Sequence, residues 1–412
     1  MSDRLEPPKR YPKREEQKSS APSKKENKIV KPDKKAFESS GILTLGGFDI
    51  PFFVITMALV IIGLIMLFSA SYPSALQKFG DSYHYFSRQL IFSVAGIVIM
   101  LAVSKLNYRL LKVAVYPLFA ITILLLIIVL FYHTDYKEFK RWIPLFGSIT
   151  IQPSDIAKFT IVIVLADYIS KNYKKMKNLI NGIVYPVGIL AVFCGLIFLE
   201  HHNSGVILVF LIGAVMMFCG GANWKLFALG AGLVAAVAVF VVMNPGVMMD
   251  YAGERIVAWL DKDYEPLGAR WQTNNSLYAI GSGGFFGAGL GNSKQKFLYV
   301  SEPQNDFIFS IVCEELGFVG AAVIILLFAL LFVRGLQIAM KTNDRFAALT
   351  VIGIVSQVAI QTIFNILVVT DSIPNTGISL PFFSYGGTSI LMLLFEMGVV
   401  LSISRKANQK KV

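Results

Sequence analysis

The stretch FIFSIVCEELGFVGAAVIILLFALLFV, residues 307–333, decides the fold class. Its apolar run exceeds the ~20 residues that carry a helix across the hydrocarbon layer of a bilayer. Glu314 and Glu315 nevertheless stand about two turns into it. An ionisable group is costly at that depth and normally faces the protein interior or a cavity, so the span belongs to a bundle in which something polar answers the acids. Lys158 and Asp155, at the head of another apolar run, and Arg270, in a polar stretch, are the candidates for that answer. For Glu314, a structural ion pair between helices and a role in a functional site both stay open.

Similar apolar runs lie on either side, at 50–70, 88–105, 109–131, 154–170, 179–199, 204–221, 223–243, 345–368 and 385–404. With 55% hydrophobic and only 16% charged residues over 412 positions, the chain has lipid as its solvent. It reads as an all-α polytopic membrane protein of about ten transmembrane helices. Residues 1–46 form a disordered basic cytoplasmic tail, 47–405 the membrane domain and 406–412 a cytoplasmic C-terminal tail. Lys105, Arg109, Lys112, Lys171, Lys174, Lys175, Lys177, Lys225, Arg334, Lys341 and Arg345 fall in loops on the side of the basic N-terminal arm. The positive-inside rule then places both termini in the cytoplasm of a bacterial plasma membrane. The net charge of +12 resides in that arm and those loops, where it faces anionic headgroups, which excludes nucleic acid as the partner. Cys194, Cys219 and Cys313 are odd in number, without CxxC spacing, and are expected to pack in the core.

One connection, 244–306, is far longer than a link requires and forms a large extracellular loop. It carries a glycine-rich run, Gly281 to Gly291, that lacks the Lys-Ser/Thr of a phosphate loop. Such glycines let irregular backbone pack closely against helices. At its end, Glu302 and Asp306 sit where water meets hydrocarbon, and partial desolvation there raises a carboxyl pKa into the range of a general base. If the helix continues back through them, the two acids share a face at i,i+4. Asp306 as base and Asp306 as a simple cap of the following helix are both open readings. Lys140-Arg141-Trp142 lies on the outer side against the charge trend, so its cations need a local reason, such as the phosphates of a lipid headgroup, with solvated charge beside an interfacial Trp as the alternative. Glu200-His201-His202 lacks metal-ligand spacing and is expected to make polar contacts in a tight turn.

The ordered set Ser69-Ala70-Ser71, Arg88-Gln89, Lys140-Arg141-Trp142-Ile143, Gln152-Pro153-Ser154-Asp155, Trp271-Gln272, Ser276 to Gly284, Gly287 to Ser293, Asn305-Asp306-Phe307-Ile308-Phe309, Glu314-Glu315-Leu316-Gly317 and Thr376 to Gly387 resembles the shape, elongation, division and sporulation family, which includes FtsW, RodA and SpoVE. The Pro-Gln-Asn-Asp form at 303–306 and Pro374-Asn375-Thr376 are more similar to FtsW and SpoVE than to RodA.

The resemblance implies a peptidoglycan glycosyltransferase that polymerises lipid II on undecaprenyl-pyrophosphate-linked glycan. It implies a class B penicillin-binding protein and other division proteins as partners, and Asp306 as the catalytic residue. Inverting transfer asks for a base and for cations, or a divalent Mg or Mn ion, at the departing pyrophosphate. Lys140, Arg141, Arg255 and Lys296 are the candidate cations, with Glu302 and Gln272 beside the substrate and Asp155, Lys158, Glu314, Glu315, Ser384 and Tyr385 as supporting polar groups. A lipid II flippase and an elongation polymerase of RodA type are the alternatives; no inverted repeat supports the first.

Overall fold

The computed structural model describes residues 46–131, 141–146, 149–244, 251–265, 267, 268, 270–297 and 299–408. The helices are α1 (Ile50–Phe79), α2 (His84–Lys105), α3 (Arg109–Phe131), α4 (Pro153–Asn172), α5 (Tyr185–Leu199, led in by a π turn at Ile180–Val184), α6 (Asn203–Cys219), α7 (Trp224–Met243), α8 (Tyr251–Leu260), α9 (Trp271–Gly283), α10 (Ile308–Lys341), α11 (Arg345–Val369) and α12 (Gly387–Asn408). All but α8 and α9 coincide with the apolar runs. Among the described residues, seven helices are long and apolar enough to cross a membrane; α4, α6 and α7 occupy the other predicted spans.

α4 falls outside the seven because Asp155, Lys158, Asp167 and Lys171 dilute its apolar face. Its surroundings explain the tolerance. It packs against α3, α6 and α11, most of its length is buried, and protein rather than lipid answers its charges: Lys158 Nζ lies 2.7 Å from Asp155 and Lys171 Nζ 2.6 Å from Asp167. α12 lies along α2, and α10 against α11, α9 and α1.

Ion pairs staple the basic end. Asp49 caps α1 by accepting the Phe52 amide and also receives Arg334 Nε at 2.8 Å and Nη2 at 2.9 Å from α10. Lys112 reaches Asp344, the cap of α11, at 2.8 Å.

Two features depart from the all-helical reading. A short antiparallel hairpin pairs β1 (Ile143–Phe146) with β2 (Ile149–Ile151), Ile143 opposite Ile151. The long loop also holds α8 and α9, whose apolar positions are too few to register as spans. As the glycine density predicted, the run after α9 packs backbone to backbone: a Cβ on Gly287 would come within 2.2 Å of the Glu315 carbonyl oxygen. Of the cysteines, only Cys313 is buried; Cys194 is half-buried and Cys219 exposed.

Candidate active site at the Asp306 loop

The segment between the long loop and α10 is held by its backbone. Gln272 Nε2 of α9 donates to the Ser301 carbonyl at 2.7 Å, the Tyr385 amide to that of Gln304 at 2.8 Å, Ser384 Oγ to that of Asn305 at 2.8 Å, and Asn365 Nδ2 of α11 to that of Asp306 itself at 2.6 Å. With three elements gripping the main chain, the Asp306 carboxyl is positioned without being consumed. The cap of α10 is Phe307, with no side-chain hydrogen bond, so Asp306 is not serving as that cap. Helix α10 begins only at Ile308 and Glu302 has φ 51°, so the two acids do not share a helical face as the sequence spacing suggested.

Asp306 Oδ2 faces Gly377. A Cβ there would lie 3.2 Å from the carboxylate and 4.0 Å from Arg255 Nη1, and φ at this glycine is +69°. Gly377 therefore keeps open the space between acid and guanidinium. Arg255 is oriented by donating to the Asn375 carbonyl at 2.9 Å. The carboxyl is half-buried, and loss of solvent is the main reason its pKa rises to about 6; Arg255 and Arg141 pull it down and Glu302 pushes it up. Both arginines are thus within electrostatic reach of one partly desolvated acid. Glu302 itself is exposed, 3.4 Å from Lys78 and accepting from Asn305.

Arg141 also donates to the His201 carbonyl, in the turn between α5 and α6. There His202 Nδ1 meets Ser154 Oγ at 3.1 Å, the polar contact expected of this turn. Beside it Glu200 is fully buried, and neither carboxylate oxygen has a partner among the described residues. Burial lifts its pKa to about 8, against the pull of Arg141. Among the described residues no three His, Cys, Asp or Glu side chains converge to hold a metal ion.

Lys296 does not belong with the pyrophosphate candidates. Its ammonium is 0% exposed, 2.7 Å from Glu315 Oε1, 3.2 Å from Ser69 Oγ and 2.7 Å from the Gly291 carbonyl. It is the answer to the intramembrane acid, where Lys158 and Arg270 were expected; those pair instead with Asp155 and, at 2.8 Å, Asp371. Glu314 accepts the Lys294 amide at 2.8 Å and the Ser293 hydroxyl, so both glutamates secure the glycine-rich run. Lys140 lies outside the described residues.

Asp155, Lys158, Ser384 and Tyr385 do come together. They line a cavity of about 480 Å³ empty volume, part of it open to solvent, with Gln357 and Glu396. Gln357 donates to both oxygens of Glu396, at 3.1 and 3.0 Å. Sequence reading missed Glu396, though an acid inside the apolar run 385–404 was a visible signal. Ser384 joins this cavity to the Asp306 loop through its bond to Asn305.

A family model for FtsW/RodA/SpoVE cell cycle proteins matches residues 50–409. The stage V sporulation protein E of Bacillus subtilis is 38% identical over 361 residues, 87% of this chain and 97% of that protein. A probable peptidoglycan glycosyltransferase FtsW of Trichlorobacter lovleyi is 36% identical, covering 87% of this chain and 94% of its own. A solved structure described as structural coordination of polymerization and crosslinking by a peptidoglycan synthase complex superposes with TM-score 0.72 at 24% identity, over 88% of this chain and 99% of that one. The rod shape determining protein RodA of Thermus thermophilus does so with TM-score 0.63 at 24% identity, over 87% and 97%. The chain belongs to the FtsW/RodA/SpoVE family of cell cycle proteins.

Proposed function

We propose that this protein is a peptidoglycan glycosyltransferase that polymerises lipid II, with Asp306 as the general base. The observation that carries the reading is the partly desolvated Asp306 carboxyl, lifted to about 6 and facing Arg255 across Gly377. At neutral pH it is ionised yet basic enough to accept a proton. In the step, the sugar 4-hydroxyl oxygen bonds to the anomeric carbon of the growing chain as its proton passes to Asp306. The bond to pyrophosphate breaks with inversion, and the leaving group departs already charged, so no second carboxylic acid is needed.

Arg255 and Arg141 stabilise that departing charge. Gln272 and Glu302 hold and flank the loop, and the cavity of Asp155, Lys158, Ser384 and Tyr385 backs it. By the positive-inside rule the reaction face is the outer one, with both termini cytoplasmic. A class B penicillin-binding protein supplies crosslinking, in division or spore-wall synthesis alongside other division proteins. The test is fluorescent lipid II in liposomes with the purified protein, with and without its transpeptidase. Polymer on one face, lost in Asp306→Asn, supports the reading; transfer between leaflets without polymer defeats it in favour of transport.

A further inference from the structure

Helix α10 is broken inside its own length. At Gly317 the backbone turns to φ 65°, ψ −167°, and the glycine-rich run fills the gap. The Ala288 amide donates to the Glu314 carbonyl at 2.9 Å and that of Gly289 to Glu315 at 3.0 Å; in return Phe318 donates to Gly284 at 3.0 Å and Val319 to Phe285 at 3.2 Å. The loop thus supplies hydrogen bonds that the helix forfeits.

The depth of that break follows from the other end. Arg334 pairs with Asp49, immediately before the first apolar residue of α1, and so marks the boundary of the hydrocarbon. From Arg334 back to Gly317 a helix rises only ~26 Å at 1.5 Å per residue, less than the ~30 Å of a bilayer core. The break, and the loop sealed against it, therefore lie inside the acyl layer. Non-helical backbone survives there only when protein satisfies it, as these four bonds do.

The exposed side chains agree. Phe285 and Phe286 are 60% and 80% exposed and Leu290 56%. Phe285 stacks on Phe318 at 5.7 Å, and Phe318 continues into the exposed Val319, Val323 and Leu326 of a helix that crosses the membrane. The aromatic patch is thus an extension of a lipid-facing surface, not an isolated apolar spot on a watery loop. Exposed Lys294 follows closely, with a stem long enough to reach headgroups.

We propose that residues 284–290 form a wedge inserted into the leaflet on the Asp306 side, with Phe285, Phe286 and Leu290 in contact with lipid acyl chains. This placement stands independently of the catalytic reading.

The test uses the full chain in vesicles of phosphatidylethanolamine and phosphatidylglycerol. Cys194, Cys219 and Cys313 are replaced by Ala, and a nitroxide is attached at Phe286→Cys, with Asp263→Cys and Val323→Cys as aqueous and lipid references. Insertion is expected to give residue 286 an oxygen-to-nickel accessibility ratio above one, like residue 323. A ratio below one, like residue 263, overturns the proposal. Phe286→Trp in the unaltered cysteine background provides a second readout. Added quenching by chain-brominated lipid supports insertion, and none beyond that of the native tryptophans refutes it.

Discussion

Two acidic groups sit near the start of α10, and the protein treats them in opposite ways. Glu315 is sealed with Lys296, both 0% exposed, and carries a further bond from Ser69. Asp306, nine positions upstream, has its main chain gripped while its carboxyl faces Arg255 across Gly377. A direct ion pair removes basicity and adds cohesion. An acid kept near cations without a direct pair keeps a proton affinity useful for chemistry. The contrast teaches that the closeness of the counter-charge, not the presence of an acid at the membrane boundary, separates clamp from candidate base.

The largest expected effect is on activity. Asp306→Asn should reduce polymerisation at least ~100-fold with thermal unfolding unchanged, measured on lipid II and by a melting curve; a variant that unfolds early would place Asp306 with the clamps. Lys296→Met should do the reverse. It strands a buried carboxylate and costs about 3–5 kcal/mol, read as a fall in melting temperature, with Glu315→Gln added in the same chain recovering part of the loss.

Smaller shifts sharpen the same division. As the proposed base, Asp306 acts in its deprotonated form, so kcat/KM should fall as pH drops through about 6. Because Glu302 pushes that pKa up and Arg255 pulls it down, Glu302→Gln should move the acid limb to lower pH and Arg255→Gln to higher pH; an unmoved profile in both would detach the limb from Asp306. Least affected is Lys78→Ala. Its partner is Glu302 at 3.4 Å, with side chains 45% and 55% exposed, and the pair should contribute under ~1 kcal/mol, checked in the same melting experiment.

Much of this was legible in the residues. The runs that became α1 to α7 and α10 to α12 needed only apolar length. Asp306 could be singled out because a polar loop ends and an apolar run begins at that point. The partners were not legible. Lys296 read as an outer cation available for phosphate, since its loop is polar, and nothing in the spacing reveals that Gly287 and Gly317 draw that loop onto α10 and carry the ammonium to Glu315. Helices α8 and α9 escaped because, at 10 and 13 residues, they are too short to register as spans; contacts such as Trp259 Nε1 to the Asp371 carbonyl at 3.0 Å and Ser276 Oγ to that of Val369 at 2.8 Å tie them to distant segments.

By itself the sequence determined that the chain lives in lipid, roughly where it crosses and which acids lie at costly depths, because transfer of apolar and charged groups between water and hydrocarbon depends on composition over a short window. Only the tertiary structure decided which charge answers which. That choice rests on distances of a few ångströms between segments far apart in the chain, such as Ser69, Lys296 and Glu315, and ion-pair energies change steeply over just those distances.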